Sequence, residues 1–252
     1  MGRHLIQGRT ITTPVRVRDA RLGAAVYLVR ADAARAVIAY SGLDVTEPLP
    51  GKAVCALLFV DYLDSDLGAY HEFGVAFLIR PPGVPRPPGP RRRGLLTGLS
   101  DLRRAGTGAF VHWLPVDQEF TLEAGQRIWG FPKELADIDL RLVSRYKRCV
   151  LRRDGRLVLD LLLKPGLPTP PIGKVSPFDV YTHRDGVTRR AAWAMAPRGV
   201  RVRPGGSLIR LGTHPVVKEL SELGLPRHAL VTASVARLRM VIGPAVEIPG
   251  TP

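Results

Sequence analysis

The sequence predicts a mainly β (α+β) fold, one antiparallel β-rich domain across residues 1–252 with a few short helices. Three observations carry this expectation. Turn formers abound, with 26 glycines and 23 prolines in 252 residues, which favours many strands over a helix bundle. Two Asp-Gly dipeptides, Asp154-Gly155 and Asp185-Gly186, sit between apolar runs, and such a pair is the strongest short hairpin signal. There is no clear linker, no repeat and no strand–helix–strand alternation, so neither a parallel α/β sheet nor a second domain is expected.

Along the chain, residues 24–30 (AAVYLVR) read as a strand, and Asp32 as the cap of a short helix over 33–40. Residues 53–62 form a continuous apolar run, hence a buried strand. A turn over Asp64-Ser65-Asp66-Leu67-Gly68 leads to its hairpin partner, residues 69–79. Residues 81–93 (PPGVPRPPGPRRR) suit no regular element and predict a mobile or polyproline-type loop. The sheet resumes at 109–115. Thr121 is the expected N-cap of a helix over 122–128, stopped by Gly130 and Pro132. Residues 135–143 alternate as a strand, and 147–163 form the first Asp-Gly hairpin. Thr213 caps a helix over 215–223, and 229–242 is a last long strand. The total is eight or more strands and three short helices.

Bulk properties narrow the function. The longest apolar run falls short of the roughly 20 residues of a membrane span, and the first residues lack the apolar core of a signal peptide. Two cysteines, Cys55 and Cys149, make neither a disulfide framework nor a zinc set, so a reduced cytoplasmic setting is expected. Cys149 lies in a basic strand, which could lower its pKa, although a packed cysteine is commoner. The formal charge of +15 reads as a solvated basic face, with a phosphate-binding footprint or steering of anionic substrates as the other readings. No nucleic-acid-binding motif accompanies it, so no nucleic-acid partner is expected. The six histidines are scattered and no phosphate-binding or nucleophile-elbow motif occurs, so no metal and no cofactor are expected.

The candidate chemistry lies in Ile128-Trp129-Gly130-Phe131-Pro132-Lys133-Glu134. If the segment past Gly130 is extended, Trp129, Phe131 and Lys133 share a face, and the amine lies beside apolar rings. An ordinary lysine pKa of about 10.4 leaves only about one amine in 2,500 neutral at pH 7. Desolvation raises that fraction, and a neutral lysine attacks carbonyls. Glu134, next along a strand, points to the other face. Read from residue types alone, Lys133 could equally be a surface lysine after a turn.

WGFPKE resembles the lysine motif of the acetoacetate decarboxylase-like superfamily, in which a Pro-Lys step carries a Schiff-base lysine. Residues 67–74 (LGAYHEFG) are similar to a family loop ending in a pocket glutamate. Residues 213–225 and the final strand resemble its late helix and C-terminal strand, in the same order. The resemblance implies a β-barrel or cone-like form and a cofactor-free lyase for a small keto acid. It places the nucleophile at Lys133 and an acid/base at Glu72. The arginine that holds the substrate carboxylate falls on or near Arg21, with Trp129 and Phe131 beside the substrate. A homo-oligomer is implied as well. Two departures stand out. Glu134 occupies the position of the decarboxylases' second lysine, and their second pocket glutamate maps to about Leu57. Aldolase-dehydratase or cyclase chemistry on another oxo acid, or a silent member that binds a small ligand, therefore stay open.

Overall fold

A computed structural model describes residues 2–80, 108–171, 173 and 175–248; the proline- and arginine-rich stretch 81–93 lies outside the described residues. The strands are β1 (Arg3–Ile6), β2 (Arg9–Thr12), β3 (Val15–Arg30), β4 (Asp44–Val45), β5 (Lys52–Ser65), β6 (Tyr70–Arg80), β7 (Gly108–Val116), β8 (Lys133–Leu135) and β9 (Asp137–Arg141). They continue as β10 (Lys147–Arg153), β11 (Arg156–Leu163), β12 (Leu167–Pro168), β13 (Val175–Arg184), β14 (Val187–Pro204), β15 (Ser207–Leu211), β16 (Val231–Ile242) and β17 (Val246–Glu247). Three α-helices accompany them among the described residues: α1 (Ala31–Ile38), α2 (Glu119–Trp129) and α3 (Val217–Glu222). The protein is mainly β, as its turn chemistry predicts.

Both Asp-Gly turns form hairpins. Asp154 and Gly155 have φ of 50° and 71°, Asp185 and Gly186 of 54° and 74°. Positive φ at both central positions matches the right-handed twist of the flanking strands. A third such turn, at Gln7-Gly8 between β1 and β2, has φ of 43° and 76°. It escapes sequence reading because Gln is not a customary left-handed residue.

One large sheet runs β4-β6-β5-β3-β16-β14-β13-β7-β8, with β12 and β17 added on β14. β6 also pairs with β7, so the path returns on itself and the sheet curls into a cone-like form rather than a regular antiparallel barrel. Two pairings, β13 with β7 and β7 with β8, are parallel, against the antiparallel expectation. Helix α2 is the reason for the second: it carries the chain back so that β8 runs beside β7 in the same direction. A smaller sheet, β15-β11-β10-β9, covers one face of the large one.

Apolar side chains fill both faces of the large sheet. Between the two sheets and beneath α1 and α3 lie Tyr27, Leu57, Phe59, Phe77, Cys149 and Leu161. On the other face, closed by α2 and the β1–β2 hairpin, lie Val60, Tyr62, Tyr70, Trp129, Phe131 and Met240. Each fully buried large apolar side chain stabilises by about 1.5–3 kcal/mol. Several predicted boundaries move, and the helix predicted over 215–223 with a Thr213 cap is Val217–Glu222 with Val216 at its N-cap. β3 begins at Val15 rather than residue 24; Asp32 lies inside α1, whose cap is Arg30; and α2 starts at Glu119. Thr121 is buried in the first turn of α2 and donates to the Gln118 carbonyl at 3.0 Å instead of capping it.

Candidate active site

Lys133 and Glu72, 61 positions apart in sequence, meet inside the fold. The β5–β6 hairpin pairs Val60 with Glu72 and Tyr62 with Tyr70, so these four side chains share one face. Lys133 arrives from the other direction. α2 ends at Trp129, and Gly130 takes φ of 67°, which lets the Phe131 amide reach back to the Gly125 carbonyl. Pro132 stops the helix. β8 then aligns Lys133 with Leu114 and Leu135 with Val116, and Val116 pairs with Glu72. The Lys133 carbonyl accepts from the Gln126 side chain at 2.8 Å, and the lysine stem lies directly against Gly125.

The Lys133 ammonium Nζ stands 2.7 Å from Glu72 Oε2, with side chains only 3% and 7% exposed. The Tyr62 hydroxyl donates to the other carboxylate oxygen, Oε1, at 3.0 Å. The Tyr70 ring lies beneath the ammonium, 5.1 Å from Nζ to the centroid, and stacks on Tyr62 with centroids 4.2 Å apart. Burial first, then the charge of Glu72, holds both phenols well above their ordinary pKa, so Tyr62 remains a donor to the carboxylate. A cation on a π face, one carboxylate and one phenol O–H make a compact site for moving a proton to and from an amine.

The remaining predicted residues are placed differently. Trp129 and Phe131 are buried in the same apolar cluster, with their rings 5.7 Å apart, but the ring against the ammonium is that of Tyr70. Strand alternation does not set this placement, because Trp129 belongs to α2 and β8 begins only at Lys133. Arg21 does not join the pair. It stands opposite Asp61, 3.4 Å away, and Asp61 stands opposite His71, so all three lie on the face turned away from Glu72. Leu57 also points away, into the core with Tyr27 and Phe59; the neighbouring positions on the face of Glu72 are Leu58 and Val60. Glu134 does turn from the amine: it accepts from the Trp113 indole at 3.0 Å and pairs with Arg153.

Sequence reading missed Tyr62 and Tyr70. The signal was present, because Tyr70 is two residues before Glu72 on one strand, and a turn over 64–68 sets Tyr62 opposite Tyr70. A cavity of about 380 Å³ borders Lys133 on the Glu134 side, walled by Val75, Trp113, Gln126, Pro132 and Leu220; Glu72 is not among its lining residues. Cys55 and Cys149 are buried and unbonded to each other, and burial pushes both thiols up, Cys55 to about 12. The basic-strand argument for a lowered Cys149 therefore loses to desolvation. Among the described residues no group of three or more His, Cys, Asp or Glu could hold a metal, and no helix is long and apolar enough to cross a membrane.

Comparison with known proteins agrees with the resemblance. The family described as acetoacetate decarboxylase (ADC) matches residues 7–246. Acetoacetate decarboxylase from Legionella pneumophila subsp. pneumophila str. Philadelphia 1 shares the fold at a TM-score of 0.67 and 16% identity, over 95% of this chain and 90% of its own. The enduracididine biosynthesis enzyme MppR, complexed with the condensation product of pyruvate and imidazole 4-carboxaldehyde, matches at 0.57 and 16%, over 94% of this chain and 90% of its own. An acetoacetate decarboxylase-like enzyme from Sphingomonas wittichii RW1 matches at 0.57 and 15%, over 96% of both chains. No curated protein matches the chain in sequence.

Proposed function

This chain belongs to the acetoacetate decarboxylase family, and from that premise we propose that it is a Schiff-base-forming lyase for a small keto acid, with Lys133 as nucleophile and Glu72 as acid/base. The observation that carries the reading is the sealed contact of 2.7 Å between Lys133 Nζ and Glu72 Oε2. Glu72 takes the ammonium proton, and the free amine adds to the substrate ketone. The carbinolamine loses water to give an iminium, with Glu72 returning its proton to the departing hydroxyl. The C–CO₂ bond then breaks, its electron pair flows into the iminium, and carbon dioxide leaves. The resulting enamine is protonated at carbon, and water releases the product ketone and the amine. Tyr62 keeps Glu72 oriented through these transfers. The same reading takes residues 1–252 as one cytoplasmic domain that works in a homo-oligomer and needs no cofactor.

A second reading keeps the iminium and changes the bond that breaks after it forms. Glu134 stands where the decarboxylases carry a second lysine, and it faces Trp113 and Arg153 instead of the amine. No glutamate stands at Leu57 either. An enamine formed by loss of a Cα proton, rather than of carbon dioxide, would attack an aldehyde and give aldol–dehydration chemistry.

Borohydride reduction with a panel of keto acids, read by intact mass, tests both. An adduct on Lys133 that is lost in Lys133→Met is expected. Release of carbon dioxide from acetoacetate then favours decarboxylation, and a condensed product from pyruvate plus an aldehyde favours the second reading. No adduct across the panel would leave a ligand-binding protein without this chemistry.

A further inference from the structure

A second cavity, of about 630 Å³, opens between the small sheet and strands β14 and β16. It shares no lining residue with the Lys133–Glu72 site. Its volume is that of a small-molecule site. Five cations line it, Arg145, Lys147, Lys164, Arg201 and Arg203, and among the described residues no carboxylate does. Three of them, the half-buried Lys147 and the exposed Arg201 and Arg203, donate to main-chain oxygens. Lys147 Nζ donates to the Ser144 carbonyl at 2.6 Å, Arg201 Nε to that of Gly166 at 3.0 Å and Arg203 Nη1 to that of Pro165 at 3.1 Å. Each of these heads keeps further N–H donors for a ligand. Burial lowers the Lys147 pKa, and the nearby Arg201 and Arg21 charges lower it further. The cavity residues Val143, Tyr146 and Leu167 add apolar surface, at 77%, 50% and 76% exposure.

We propose that this cavity is a binding site for an organic polyphosphate, a molecule with two or more phosphate groups and an aromatic or apolar body, as in a nucleoside triphosphate. Guanidinium and ammonium donors held by carbonyls suit phosphate oxygens, and Tyr146 and Leu167 suit a flat base.

Calorimetric titration of the full chain with ATP and with tripolyphosphate, at fixed ionic strength, tests this. ATP is expected to bind, and more tightly than tripolyphosphate. Arg201→Gln and Lys147→Gln are each expected to weaken ATP by about tenfold or more, with unchanged thermal unfolding showing that both variants fold. Lys133→Met is expected to bind ATP as the parent does, so failure of the Schiff-base reading and failure of this one are distinguishable. Arg239→Gln serves as control in a separate basic groove that also holds Arg16, Arg18 and Arg198, and it should leave ATP affinity within about twofold, since surface charges beyond a Debye length of about 8 Å are screened. No binding of ATP would overturn the proposal. So would an Arg239→Gln loss equal to that of Arg201→Gln, or tripolyphosphate binding as tightly as ATP.

Discussion

Replacing Lys133 by methionine keeps an unbranched side chain, one atom shorter, and removes its charge. Glu72 is then left in a site where its side chain is 7% exposed, with the Tyr62 hydroxyl at 3.0 Å as its remaining hydrogen-bond donor. Removing one member of a buried pair costs about 3–5 kcal/mol, because the other charge stays desolvated and uncompensated. With both side chains almost sealed, solvent screening subtracts little. For a chain of this size each kcal/mol moves the thermal midpoint by about 2–4 °C, so Lys133→Met should unfold about 6–20 °C below the parent. The double variant Lys133→Met/Glu72→Gln leaves no buried charge, and its amide still accepts from Tyr62. It should be more stable than the sum of the single losses by about 0.5–3 kcal/mol. Urea and thermal unfolding of the four proteins at pH 7 measure the cycle. A Lys133→Met midpoint equal to the parent's, or single losses that simply add, would refute the buried pair.

Gly125→Ala would put a methyl 2.5 Å from Cδ and Cε of Lys133 and 3.3 Å from Nζ. The helix gains about 1 kcal/mol while overpacking costs about 1–3 kcal/mol. Stability should therefore fall by about 0–2 kcal/mol while borohydride trapping slows by about a hundredfold; an unchanged trapping rate would show that α2 does not aim the lysine. His71 bonds Asp117 at 2.9 Å and lies 3.5 Å from Asp61, and the hydrogen bond to Asp117 is the main cause that raises its pKa. Its stabilisation should be complete below about pH 6.5 and lost as pH rises through the raised folded value. His71→Gln should flatten that part of the curve of unfolding midpoint against pH, and an unaltered curve would remove His71 as its source. Neither buried cysteine should react with iodoacetamide in the native protein at pH 8, whereas both should be labelled in denaturant; native labelling of either would contradict the burial that pushes both thiols up.

Local chemistry was legible wherever a residue's backbone preference decides the outcome. Asp154-Gly155 and Asp185-Gly186 turn because Asp and Gly tolerate positive φ, and β5 and β6 pair because a short turn joins two apolar runs. Boundaries were less legible. β3 extends back to Val15, where buried Val15 and Val17 alternate with exposed Arg16 and Arg18, and pairing with β16 carries the strand on through Asp19 and Arg21. At the candidate site, Glu72 and Lys133 were named through a family resemblance, and Glu134 through strand alternation. Tyr62 and Tyr70 follow from hairpin register and were overlooked. Arg21 stands opposite Asp61 on the face turned from Glu72, since a face depends on register and one residue of slip moves a side chain through the sheet.

Sequence by itself determined a mainly β chain with two Asp-Gly hairpins, a helix stopped by Gly130 and Pro132, and a lysine one residue past that stop. These are local matters of φ, ψ and side-chain period. Only the tertiary structure decided that the lysine meets Glu72 on a floor of two tyrosines, that Arg21 faces the other way, and that five cations crowd one cavity. Such meetings join residues as far as about seventy positions apart. They depend on which strands pair, in which direction and in what register, and those choices are made by burial of the whole sheet rather than by any one segment of it.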